Sequence, residues 1–382
     1  MNTCEKIRHV IFLAASFSLI ACITQNAQRL EESAVSPGPP PAGAPPKTVK
    51  AEETEDPFWA SVKENRAAVV QKNPRPGDPL TVVFYNPSIK APPQNPPSNE
   101  ARVYSVPYKA GLYTTNAEKA KKVSGGSFFP FQIEEGRTVY TALLAVPCTL
   151  EAGVLTLRIE REGGEIIAED EVAVFPRDFA AEEIPLNPVN TGLRTVPDPK
   201  KTEQSEKLWS ILNKTGENIY SNGLFLTPVP KETRRTSFFG DRRVYVYSNG
   251  KRDQAIHAGI DYGVPSGTPV YAPADGKVVL AEERIVTGNS IVIEHMPGLY
   301  SIYYHLDEIF VKEGDIVKAG WLLSKSGSTG LATGPHLHWE IRLNGENTDP
   351  DAFCSSPLLD KTALKIAVLN AAIKQQTSAE IP

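Results

Sequence analysis

At 382 residues the chain is longer than a typical single domain, so two folded units joined by linkers are expected. Hydrophobic content of 41% and charged content of 22% are ordinary for globular protein, and a net charge of -5 gives no basis for a nucleic-acid partner. Four cysteines without C-x-x-C spacing exclude a disulfide-stapled scaffold and a zinc ribbon.

The N-terminus reads as a targeting segment. Lys6 and Arg8 precede an apolar run from Val10 to Ile20 that is too short to span a bilayer. Leu19-Ile20-Ala21-Cys22 resembles a bacterial lipobox, which makes residues 1–22 a lipoprotein signal peptide and Cys22 the lipidated first residue of the mature chain. The alternative is an ordinary secretory signal with an incidental cysteine. Acyl chains on Cys22 would hold the protein on a membrane surface in the bacterial cell envelope, facing the periplasm or exterior. Residues 23–60 are poor in apolar side chains and rich in Pro, Ala, Glu and Ser, the composition of a disordered tether. Cys148 and Cys354 remain, either as a pair formed in an oxidising compartment or as two free thiols.

Residues 61–185 carry short β-rich runs: Leu80–Tyr85, Arg137–Val146, Val154–Ile159 and Ile166–Phe175, separated by turn clusters such as Glu162-Gly163-Gly164. This spacing predicts an immunoglobulin-like β-sandwich, and its lack of histidine gives it a structural role. Residues 186–223 read as a proline-rich linker with one short helix, Glu203–Leu212. Residues 224–352 are nearly all antiparallel strand. Within them Val264–Ala272 echoes Val311–Ala319, with Val, Gly, Val and Ala at matching places, which predicts two similar hairpins packed together. The tail, residues 353–382, places Leu359, Ala363, Ile366, Leu369 and Ile373 on one helical face, expected to pack on the domain. The fold class is mainly β.

The chemistry lies in the last large domain. His336 and His338 sit two apart in a strand-like stretch and so share a face. His257 and Asp261 form a second polar cluster upstream, and His305 follows Tyr304 in a third strand. Two neutral imidazoles and one carboxylate suit a zinc ion that keeps one position open. The candidate ligands are His257, Asp261 and one of His336 and His338. Taken singly each motif is weak, since an H-x-H pair is often a solvated edge. But five of the six histidines fall in this one domain.

Ser237-Phe238-Phe239-Gly240, His257–Asp261, Gly267-Thr268-Pro269-Val270, Tyr304-His305-Leu306 and Gly334–Trp339 together resemble the lysostaphin-type zinc endopeptidases, in the family's order. The resemblance implies a duplicated hybrid motif forming an open sheet groove, and cleavage of peptide bonds in peptidoglycan peptides. It assigns His257, Asp261 and His338 as ligands to one Zn2+ per chain, and His305 and His336 as catalytic. Asp241–Ile256 and Ser326–Gly334 are the expected groove walls. His295 lies outside the motifs and reads as structural.

Two other readings stand beside this one. A non-catalytic family member would bind cell wall and activate another peptidoglycan hydrolase; such regulators typically lack ligands that are all present here. A lipoyl-like carrier would need a modifiable lysine at a hairpin tip and no histidine cluster. The sequence leaves the oligomeric state open.

Overall fold

Two antiparallel four-stranded sheets come first in the chain. The computed structural model describes residues 66–85, 106–115, 120–134 and 137–379, the side chains of Arg66 and 373–379 excepted. The expected signal peptide, Cys22 and the tether lie outside the described residues. Strands β1 (Arg66–Val69), β2 (Pro79–Tyr85), β3 (Tyr108–Thr114), β4 (Lys122–Ser127), β5 (Phe129–Glu134), β6 (Arg137–Ala145), β7 (Gly153–Arg161) and β8 (Ile166–Val174) pair in the orders β1-β2-β6-β5 and β4-β3-β7-β8. Along β7 the residues alternate, Leu155, Leu157 and Ile159 pointing inward, as the two-residue period of a strand requires. They meet Leu80, Val82 and Phe84 of β2 and Leu144 of β6 in a core between the sheets. Every residue of β2 is buried. Its second face is covered as well, which is why apolar side chains occupy both of its faces.

The cover is the C-terminal helix. The helical period predicts packing along Ile366, but Ile366 is half exposed while Leu364, Ala367, Val368 and Ala372 are buried. The helix is thus rotated from the predicted face, because it lies against β1, β2 and β5 of the sandwich. The buried hydroxyl of Thr81 donates to the carbonyl of Leu358 just ahead of it.

Between sandwich and second sheet the expected proline-rich linker is ordered. Strand β9 (Ala181–Pro185) is followed by helices α1 (Pro188–Thr195) and α2 (Pro199–Leu212). Asn187 caps α1 by accepting from the amide of Asn190, and Asp198 caps α2 by accepting from Lys200. Each helix begins on a proline, whose missing N–H costs nothing at a first helical position. The prolines that read as linker punctuation therefore start helices, and α2 begins four residues before the predicted Glu203.

The second domain contains β10 (Arg235–Ser237), β11 (Arg242–Val246), β12 (Arg252–Ile256), β13 (Gly259–Tyr262), β14 (Pro269–Tyr271), β15 (Gly276–Arg284), β16 (Gly288–Met296), β17 (Leu299–Ile309), β18 (Ile316–Val317), β19 (Leu322–Ser326), β20 (Leu337–Leu343) and β21 (Glu346–Thr348). Ten of these form one antiparallel sheet whose main path is β10-β13-β20-β17-β16-β15-β18. The sequence repeat is visible: Gly267 and Gly314 hold φ of 87° and 95° in equivalent turns, and Val270 and Val317 are buried after them. Its two copies are not adjacent hairpins. They pair crosswise, β14 with β19 and β18 with β15. The stretch from Asp241 to Ile256, expected as a loop, is the hairpin β11–β12, joined in parallel to β9 of the connector. Helices α3 (Pro350–Ser355) and α4 (Lys361–Ala379) end the described chain. Cys148 and Cys354 are free thiols, and no described helix is long and apolar enough to cross a membrane.

Candidate metal centre

Asp261 on β13 stands directly opposite His338 on β20, and His338 stands opposite Tyr304 on β17. Three neighbouring strands therefore deliver a carboxylate, an imidazole and a phenol in one row. The Tyr304 ring stacks on the His338 ring, with centroids 5.4 Å apart and planes 7° from parallel. His257 enters from the stretch just before β13, its Nε2 3.1 Å from Asp261 Oδ1 and 3.0 Å from His338 Nδ1. His338 Nδ1 is 2.7 Å from the same carboxylate oxygen.

Each of these groups is held by its outer atom. His257 Nδ1 donates to the carbonyl of Phe238 at 2.7 Å, which leaves Nε2 with its lone pair. His338 Nε2 donates to Glu340 Oε1 at 2.9 Å, which frees Nδ1, and Glu340 in turn accepts from Arg342 at 2.8 Å. Asp261 Oδ2 accepts from Arg243 at 2.7 Å, leaving Oδ1 to face the imidazoles. One nitrogen, one nitrogen and one oxygen thus converge, all buried. Around a tetrahedral ion with bonds near 2.0–2.1 Å, such atoms would stand roughly 3.3 Å apart, a few tenths of an ångström wider than here. The donor set and its orientation fit zinc.

Electrostatics reinforce the convergence. Burial favours a neutral Asp261, yet the His338 and His257 rings hold its carboxyl well below the usual carboxylate range. Burial opposes charge on His338 too, but Asp261 and Glu340 on either side raise the ring to about 9. Glu340 is likewise desolvated and still held down to about 2 by Arg342 and His338. A cation among these groups completes a charge balance that a proton otherwise supplies.

His305 and His336 lie on the open side, their ring centroids 4.7 Å apart. His336 Nε2 is 3.8 Å from Asp261 Oδ1, and its Nδ1 donates to the Gly334 carbonyl at 2.8 Å. His305 sits at a break in the β16–β17 register with φ of 61°, a left-handed conformation costing on the order of 1–3 kcal/mol in a non-glycine residue. It is fixed there by its amide on Thr287 O at 2.9 Å and by its Nδ1 on Thr329 O at 2.8 Å. Burial, then the neighbouring His336 and His338, push the His305 ring down to about 3, so it is neutral at physiological pH. Burial also lowers His336.

The groove over these rings has a volume of about 310 Å³. The Gly-rich segment lines it as expected, and the β11–β12 hairpin lines it in place of a loop. A third wall was not foreseen: Ile184, Leu186 and Arg194 of the connector. Asn190 of α1 donates across to the carbonyl of Ala332 at 3.1 Å. His295 is far from this groove in role: fully buried, it bonds Asp275 O and Ser301 Oγ at 2.8 Å each. Glu340 was legible in principle, since it shares the strand face of His338; Arg243 carries no local signal.

Residues 255–350 match Peptidase family M23, spanning both ligand motifs. A mutant of the catalytic domain of the prophage-encoded M23 protein EnpA from Enterococcus faecalis is 34% identical over 33% of this chain and 95% of that one, with a TM-score of 0.29. This chain belongs to peptidase family M23.

Curated relatives of this M23 chain include peptidoglycan DD-endopeptidase ShyA of Vibrio cholerae, 34% identical over 178 residues, 45% of this chain and 39% of that protein. The DD-carboxypeptidase/endopeptidase Mpg of Neisseria meningitidis serogroup B is 40% identical over 118 residues, 31% of this chain and 26% of that protein. The matches thus span about two-fifths of these relatives at most. His257, Asp261, His305, His336 and His338 all fall inside the M23 segment.

Proposed function

We propose that this protein is a zinc-dependent endopeptidase that hydrolyses peptide bonds in the stem or cross-link peptides of bacterial peptidoglycan. The observation that carries the reading is the convergence of His257 Nε2, Asp261 Oδ1 and His338 Nδ1, each with its outer atom already engaged. The relatives named as peptidoglycan endopeptidases support the substrate class.

His257, Asp261 and His338 would hold the ion. Zinc, when bound, supplies Lewis acidity toward a scissile carbonyl and brings the pKa of its water toward neutrality. His305 and His336 each use Nδ1 to donate to a backbone carbonyl, so each offers Nε2 as a proton acceptor. One ring takes a proton from the attacking water and returns it to the leaving amine. While it holds that proton at Nε2, the same ring donates to the developing oxyanion, and the other, neutral ring accepts from the water and orients it. The three walls of the groove hold an extended peptide across these rings and limit competing water.

In the same proposal Cys22 is acylated and anchors the enzyme to a bacterial membrane surface facing the periplasm or exterior. The lipobox-like sequence supports this, and Cys22→Ala should shift the protein into the soluble fraction. The activity is tested by digesting purified peptidoglycan with the zinc-loaded full chain, with and without chelator, and weighing the products by mass spectrometry. Zinc-dependent release of fragments cut within the peptides is expected. An untouched polymer would contradict the reading and favour a non-catalytic activator of another hydrolase.

A further inference from the structure

Arg243 has a place in this site that neither the ligand motifs nor the general-base histidines account for. Its Nη2 donates to Asp261 Oδ2 at 2.7 Å, and its Nε donates to Glu182 Oε1 at 2.7 Å. Arg243 and Asp261 side chains are only 12% and 10% exposed, so the pair is largely shielded from water. Glu182 belongs to connector strand β9, where it stands directly beside Arg243 in the parallel β9–β11 register. The hydroxyl of Ser237 donates to the same Glu182 oxygen at 2.8 Å. A line of three charged groups therefore runs from the connector to the carboxylate that faces His257 and His338.

A carboxylate can offer a metal ion one oxygen or two. Here the guanidinium occupies Oδ2, and Oδ1 alone turns toward the imidazole nitrogens. Building on the zinc reading above, we propose that Arg243 is a positioning residue that restricts Asp261 to one-oxygen coordination, and that Glu182 of the connector holds Arg243 in that place. The restriction keeps a coordination position free for water and substrate. The planar two-armed guanidinium suits this task, because it engages both carboxylates in fixed geometry while a lysine ammonium would engage either without direction. The connector between sandwich and M23 sheet is, on this view, part of the metal site: moving β9 away would release Asp261 as well as open the groove wall.

A purely structural clasp between connector and sheet would stabilise the fold without altering the metal. The two are separated by zinc affinity, read by competition with a chromophoric chelator, and by the visible absorption of the cobalt-substituted full chain. Arg243→Gln should weaken zinc about 10–100-fold, the range for loss of a group that orients a ligand. It should also lower the cobalt band intensity as a second carboxylate oxygen enters. Arg243→Lys should fall between parent and Gln, and Glu182→Gln should move both readouts in the same direction by less. Unchanged or tighter zinc binding with a parental cobalt spectrum in folded Arg243→Gln overturns the inference. Where Arg243→Gln does not fold, Glu182→Gln decides: parental affinity and spectrum in that variant overturn it. A parental protein that binds no zinc would sink the zinc reading itself, whereas zinc binding indifferent to both substitutions sinks only this step.

Discussion

His338 and Asp261 face each other across neighbouring antiparallel strands, ring Nδ1 2.7 Å from carboxylate Oδ1. That approach depends on Gly259, which pairs with Glu340 two positions away. A Cβ on Gly259 would lie 2.1 Å from the carbonyl oxygen of Trp339. Gly259→Ala is expected to push β13 off β20, at a cost on the order of 1–3 kcal/mol, and to weaken zinc binding. Urea unfolding and a zinc titration check both effects; a variant with parental values would show that the two strands can part without harm.

His305 touches none of the three converging donor atoms at hydrogen-bond distance, yet it lines the same groove. His305→Ala should keep the zinc content of the parent and lose about 10²–10⁴-fold in peptide hydrolysis, the usual contribution of a positioned proton-transfer group. Metal analysis alongside a fragment-release assay measures the two separately. Turnover at the parental rate would remove His305 from the mechanism.

Glu340 joins His338 to Arg342 in a buried chain, with side chains 5% and 15% exposed at the Glu340–Arg342 pair. Glu340→Ala leaves a buried guanidinium without its carboxylate, which should cost about 3–5 kcal/mol. Glu340→Gln should be milder in stability but still lower zinc affinity, since the amide orients the His338 ring less firmly. Thermal unfolding and chelator competition on the two variants test this ordering.

His295 predicts a pH effect away from the candidate metal site. Burial pulls its pKa from 6.5 down to about 4. Between those values the unfolded chain binds a proton that the native ring refuses, so stability falls as pH drops through that window. His295→Gln should be less stable near pH 7, through loss of the bonds to Asp275 and Ser301, yet show a flatter decline between about pH 6.5 and 4. Identical slopes in parent and variant would contradict the assignment.

Much of the site was legible because its chemistry is local. His336 and His338 advertise a strand face, and His257 and Asp261 flank a glycine that brings two backbones together. The long-range parts were not. Arg243 meets Glu182 only because β11 pairs with β9, and nothing near residue 243 announces a partner near residue 182. The hairpin β11–β12 reads as a loop since β12 is mostly polar and exposed and no residue of either strand is fully buried. Helix α1 hides behind Pro188, which punctuates a linker and starts a helix equally well. The face of α4 departs from expectation because the helical period alone cannot say which of two apolar stripes meets the sandwich.

On the proposed reading, His257, Asp261 and His338 hold one zinc ion per chain, which native mass spectrometry of the purified full chain with zinc can count. One tightly held ion per chain, lost in Asp261→Ala and in His338→Ala while both variants remain folded, is the predicted result. A folded parent that retains no zinc, or an Asp261→Ala variant that keeps it undiminished, would contradict the account.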